Sequence, residues 1–179
     1  MRIAARIPTI AAFIAVPFAA SAQNWSDQPV DPAAEAVTAV IAATYEEDGR
    51  HFTEDDTPTF NVAEDGTLDW PSFSGFRRYH AECHVCHGPD GEGSTYAPKI
   101  KNSAVNMGYY DFYDVVVNGR KVGNSVMPHF GDNPNVMCYL DDIYTYLLAR
   151  GVEAIPRGRP GKKVKKSTTF VEDEDACMG

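Results

Sequence analysis

The chain is poor in positive charge. Its 179 residues carry 16 lysines and arginines against 25 aspartates and glutamates, a formal charge of −9 at pH 7. That excludes nucleic acid as a partner, because neutralising phosphates takes a basic surface. Long apolar runs are also missing. The most apolar stretch, residues 7–19, is 13 residues long and contains Pro8 and Pro17. A membrane-spanning helix needs roughly 20 apolar residues, so no span is expected. No internal repeat is apparent, and only four cysteines are present.

Two of those cysteines carry the strongest signal. Cys83-His84-Val85-Cys86-His87 reads C-x-x-C-H, the pattern of covalent c-type haem attachment. Thiols three positions apart can each add to one of two vinyl groups on a single haem edge. The histidine beside the second thiol then lies under the iron, so one segment supplies both tethers and a ligand. A thioredoxin-like redox pair would need a βαβ setting, and zinc would need a second ligand pair at usable spacing. Neither is visible. One such motif predicts one haem c, held by Cys83 and Cys86, with His87 on the iron.

Export agrees with this. Arg2 and Arg6 precede the apolar run and Ala20-Ser21-Ala22 offers an A-x-A cleavage site, the layout of a secretory signal over residues 1–22. Cleavage leaves 157 residues with 14 basic and 25 acidic side chains, a charge of −11. Such an acidic surface favours a partner with a basic docking face, since complementary potentials accelerate encounter.

Organisation follows from periodicity and caps. In residues 23–69 one helix is expected from about Pro32 to Glu46, with Asp31 as N-cap and an apolar face of Val37, Val40, Ile41, Thr44 and Tyr45. Residues 51–69 read as a loop with one short extended piece. Phe73, Phe76, Tyr79 and His80 recur at helical spacing, so a helix runs into Cys83. Residues 110–117 predict a second helix, stopped by Asn118-Gly119. Residues 136–150 predict a third, capped by Asn135 and ended by Gly151. Residues 151–179 read as a polar, irregular tail with a basic cluster.

That order resembles the class I cytochrome c fold: mainly α, with the haem in a cleft and the first and last helices crossing. The resemblance covers residues 70–150 as the haem domain, with 23–69 as an N-terminal extension packed on it and 151–179 as a tail. Gly75 and Tyr79 match the small and aromatic positions of the crossing, with Ile143 and Tyr146 as expected partners. Met127, in Ser125-Val126-Met127-Pro128, matches the family's ligand methionine followed by proline, and is the expected sixth ligand. His129 is its rival; Met/His ligation gives the higher potential. Pro98 matches the proline whose carbonyl accepts the proximal histidine's N–H, which would orient His87.

Cys138 and Cys177 are left over, and in an exported protein an even pair reads as a disulfide tethering the tail. With the run from Gly75 to Gly91, Gly93-Ser94-Thr95-Tyr96-Ala97-Pro98 and Pro156-Arg157-Gly158-Arg159-Pro160, the four cysteines make the chain resemble the methanol-metabolism cytochromes of the cytochrome c-L group. The resemblance implies a periplasmic electron carrier, not an enzyme, that takes electrons from a pyrroloquinoline-quinone (PQQ) methanol dehydrogenase and passes them to a downstream cytochrome c. Alternatives are a carrier for another periplasmic dehydrogenase or a terminal oxidase, and a haem enzyme or gas sensor with a labile sixth ligand. Charge is polarised along the chain: residues 23–150 sum to −12, residues 151–179 to +1.

Overall fold

The computed structural model describes residues 27–31 and 35–179. The expected signal segment, residues 1–22, and the expected start of the first helix, residues 32–34, lie outside the described residues.

Two helices crossing at a glycine organise the core. Helix α2 spans Trp70–Glu82, and its N-cap Asp69 accepts the Ser72 amide at 2.7 Å, with Pro71 in the first turn. The last helix of the core, α6, spans Leu140–Gly151. A Cβ on Gly75 would lie 1.7 Å from the Asp142 carbonyl oxygen and 2.9 Å from the Tyr146 Cβ. Only glycine lets the backbones approach this closely. Tyr79 then packs on Tyr146, ring centroids 5.6 Å apart. Tyr146 is the partner expected from sequence. Asp142 takes the place beside Gly75, while Ile143 is buried in the surrounding core.

The other elements are numbered in chain order: α1 (Glu35–Ile41), α3 (His84–His87), α4 (Ile100–Asn118), α5 (Pro134–Met137) and α7 (Thr168–Met178). Strands β1 (Tyr45–Glu47), β2 (Arg50–Phe52) and β3 (Pro58–Thr59) pair antiparallel in that order; β4 (Arg120–Val122) and β5 (Ser125–Met127) form a hairpin. Among the described residues no helix is long and apolar enough to cross a membrane.

Several expectations change. Helix α1 ends at Ile41 rather than Glu46, because Tyr45 opens β1 and pairs with Phe52, their rings stacked at 5.1 Å. Residues 50–59 form two strands where a loop with one extended piece was expected. Helix α4 begins ten residues before the predicted 110, and Gly108 breaks it with φ 76° and ψ 176°. The expected helix over 136–150 is two helices parted at Cys138-Tyr139, and Asn133, not Asn135, supplies the cap, accepting the Asn135 amide at 3.0 Å. Gly151 is the last helical residue instead of the cap.

The tail differs most. Val164 donates to the Leu68 carbonyl at 2.8 Å, then Ser167 caps α7 by accepting the Phe170 amide at 3.1 Å. Phe170 is buried edge-on against Trp70, and Glu174 binds Arg78, Tyr139 and Lys166. The basic cluster of the tail is partnered by the rest of the fold: Arg157 meets Asp90 at 3.4 Å, Lys162 meets Asp65 at 3.2 Å, and Lys163 lies 4.5 Å over the Phe73 ring. Cys138 and Cys177 are bonded, Cα atoms 5.8 Å apart, and close 39 residues of chain. Replacing both by serine should lower stability by roughly 2–4 kcal/mol in denaturant melts. An unchanged midpoint would mean that the contacts of Phe170 and Glu174 hold α7 without the bond.

Candidate metal centre

The C-x-x-C-H segment is one helical turn set on the end of α2. Cys83 is at once the C-cap of α2 and the N-cap of α3, and its amide donates to the Tyr79 carbonyl at 2.9 Å. The turn closes at Gly88, whose φ of 70° lets the chain leave at once. Tyr79, buried at the crossing, holds the exit from this turn: its hydroxyl donates to the Gly88 carbonyl at 2.5 Å and accepts the Gly91 amide at 3.0 Å. The helix crossing therefore sets the position of the motif directly.

His87 is buried, and its Nδ1 lies 2.9 Å from the Pro98 carbonyl oxygen. A carbonyl can only accept, so Nδ1 carries the proton and Nε2 is the free, basic nitrogen. Burial pushes the His87 pKa down, against an opposing pull from the Pro98 bond, which favours the neutral ring a metal needs. The Pro98 loop is itself braced: Ser94 accepts the Tyr96 amide at 3.0 Å and donates to the Cys86 carbonyl.

Cys83 and Cys86 are unpaired although the other two cysteines are bonded to each other. Cys83 is half-buried, and burial, with Glu82 and Cys86 adding negative charge, pushes its thiol up to about 12. Cys86 is exposed, and Val85 between them is 82% exposed. Met127 ends β5, opposite Arg120, and is partly buried against the core. It stands at the end of a two-stranded hairpin. His129 points away: its side chain is 66% exposed and faces Asp132 at 3.9 Å.

These residues fit a covalent haem c: two free thiols at the right spacing, a neutral imidazole with its second nitrogen engaged, and exposed apolar surface beside them. Sequence reasoning missed the buried carboxylates around this frame. Asp90 bonds Tyr146, Arg157 and Gly158, and Asp142 pairs with Arg50 at 3.0 Å. Their partners lie 50 or more positions away, beyond any local pattern.

Crossed helices over a C-x-x-C-H turn, with the histidine steered by a proline carbonyl, define the class I cytochrome c architecture. The comparisons agree. A family model described as cytochrome C oxidase, cbb3-type, subunit III matches residues 73–147. Cytochrome c-553I of Paracoccus denitrificans is 56% identical over 142 residues, covering 77% of this chain; the chain spans 63% of the length of that relative. Cytochrome c-555 of Methylococcus capsulatus (strain Bath) is 37% identical over 92 residues, 51% of this chain and 72% of that protein. The crystal structure of c-type cytochrome XoxG from Methylobacterium extorquens AM1 superposes with a TM-score of 0.76 at 49% identity, covering 83% of this chain and 96% of that one. The chain belongs to the c-type cytochromes, the family with covalently bound haem c.

Proposed function

We propose that the chain is a periplasmic single-haem electron carrier, exported by residues 1–22, that accepts electrons from a PQQ methanol dehydrogenase and delivers them to a downstream cytochrome c. Residues 70–150 form the haem domain, with 23–69 and 151–179 as its extension and tail. Bound haem supplies a one-electron couple. Cys83 and Cys86 would tether it, and His87 Nε2 and Met127 would be the iron's two protein ligands. The bond from His87 to Pro98, at 2.9 Å, is the observation that carries this reading, because it fixes the ring and leaves a single nitrogen to coordinate. A neutral thioether opposite imidazole raises the potential. Held by both ligands, the iron would have no position left for a substrate, which favours a carrier over an enzyme or gas sensor. The methanol dehydrogenase as donor rests on the resemblance of residues 75–91, 93–98 and 156–160 to the cytochrome c-L group, and the likeness to c-type cytochrome XoxG and cytochrome c-553I supports a cytochrome of that kind.

Docking uses the acidic body. Arg157, Lys162 and Lys166 are each paired with an acid, so the tail carries no separate basic patch from these three and the net charge of −11 over residues 23–179 sets the outward field. Stopped-flow mixing with reduced methanol dehydrogenase, of the calcium and the lanthanide type in turn, tests both parts. Haem reduction should be fast with one of them. Its second-order rate should fall by about tenfold between about 0.01 and 0.15 M ionic strength. A rate flat in salt sinks the steering argument, and no reduction by either dehydrogenase sinks the proposed donor.

A further inference from the structure

The turn after the haem-attachment segment holds a buried carboxylate that neither the ligand set nor docking uses. Asp90 lies three residues past His87, 4% exposed, with φ at +60°, a left-handed conformation that Asp and Asn tolerate better than other side chains. Its Oδ1 accepts the Tyr146 hydroxyl and the Gly158 amide, each at 3.1 Å, and its Oδ2 faces Arg157 Nε at 3.4 Å. His80 Nε2 is 3.7 Å from Oδ1, and the buried Arg150 adds positive field. Burial opposes ionisation here, but the bonds from Gly158, Tyr146 and Arg157 outweigh it and hold the Asp90 pKa below the usual carboxylate range. The segment is tied to the iron-ligand turn through Tyr79, which bonds both Gly88 and Gly91. So a fixed negative charge sits beside the proximal segment, and a tail arginine meets it across 67 residues of chain.

We propose that Asp90 and Arg157 form a charge pair that sets the reduction potential of the haem, with the tail supplying the positive half. The inference rests on the reading that the haem iron sits on His87. A buried anion favours the more positive, oxidised iron and lowers the potential; the cation beside it opposes that pull. The Arg157 side chain is 62% exposed against 5% for Asp90, so solvent screens it more and its own effect is the smaller. Both act as positioned charges that never touch the cofactor.

The test is a spectroelectrochemical titration of four holoproteins: wild type, Asp90→Asn, Arg157→Gln and Tyr146→Phe. Asparagine keeps the shape and tolerates the left-handed backbone, so the first variant removes charge with little else. It should raise the potential, shifting the reduced-to-oxidised ratio at a fixed poise by about tenfold, or about 59 mV for a one-electron couple. Arg157→Gln should lower the potential by a smaller factor. Tyr146→Phe deletes one hydrogen bond to the same carboxylate and no charge, and should move the potential less than Asp90→Asn. Opposite signs are the signature of charge, since loosened packing would not give them. Shifts of the same sign for Asp90→Asn and Arg157→Gln, no shift in either, or a Tyr146→Phe shift as large as that of Asp90→Asn would overturn the proposal. The ligand reading fails separately: it is judged by the haem absorption spectra of wild type and His87→Ala, not by the sign of these shifts.

Discussion

Met127→Ala should give a holoprotein whose oxidised spectrum lacks the weak methionine-ligation band near the red end, whose potential falls, and which binds carbon monoxide stoichiometrically where the parent binds none readily. His129→Ala should leave all three nearly unchanged. The reason is placement. Met127 closes β5, partly buried against the core, and Pro128 stiffens the chain just beyond it. His129, two residues on, is turned to solvent beside Asp132, and bringing it inward would require undoing the hairpin end. A neutral sulfur is also the weaker ligand, so its loss is felt as an open position and not as a rearranged fold. If the two variants exchange behaviours, the sixth ligand is His129 and the proposed potential is too high.

The second large effect lies on α6, at its crossing with α2. Asp142 is fully buried against the α2 crossing, and burial drives its pKa up to about 7, against the pull of Arg50 at 3.0 Å. Arg50 comes from β2 and also lies 4.6 Å over the Phe170 ring of α7, so one guanidinium joins the extension, the core and the tail. The unfolded carboxyl ionises near 3.8. Between there and about 7 the folded state holds a proton that the unfolded state has released, so this site's contribution to stability falls as pH rises through that window. Arg50→Met keeps the stem and removes the charge. At about pH 8 it leaves a buried carboxylate unpaired and should cost about 3–5 kcal/mol. At about pH 5 Asp142 is already neutral in the folded protein, and the loss should shrink to about 1–2 kcal/mol for a hydrogen bond and a cation–π contact. Asp142→Asn should flatten the slope between pH 4 and 7. Denaturant melts of the three proteins from about pH 4 to about pH 8 measure it; an equal loss for Arg50→Met at about pH 5 and about pH 8 would mean that Asp142 stays ionised throughout.

What sequence made legible was what local chemistry enforces. The helix running into Cys83 has a cap, a proline in its first turn and an apolar stripe, and it formed as expected. The leftover cysteines paired because the haem motif claims the other two. The Pro98 carbonyl fell where the family resemblance put it. Other elements had no such local reason to exist. Strands of two or three residues, such as Pro58–Thr59, are too short to show alternation. The first piece of α4 is hidden by Asn102, Asn106 and Gly108, and its stability comes from packing on α6, with Ala104 fully buried. Helix α7 carries four consecutive acids and one buried aromatic, a pattern that reads as solvated tail. Its order depends on the disulfide, Ser167 and the cations gathered on Glu174. Charge counting along the chain misled for the same reason: it treats a lysine as free until its partner is seen.

The cysteine geometry also bears on how the molecule is made. Cys138 and Cys177 come together only once α7 has returned to α5, closing 39 residues. Cys83 and Cys86 are three positions apart and, in an unfolded chain, meet far more often, because closing a short loop loses less entropy. An oxidising compartment would therefore attack the thiols needed for haem before it sealed the tail. Among the described residues nothing shields Cys86, which stays exposed. In such a compartment assembly must be ordered: thioether formation or active reduction at Cys83 and Cys86 has to outrun oxidation, and the yield of red protein becomes a race between two sulfur chemistries.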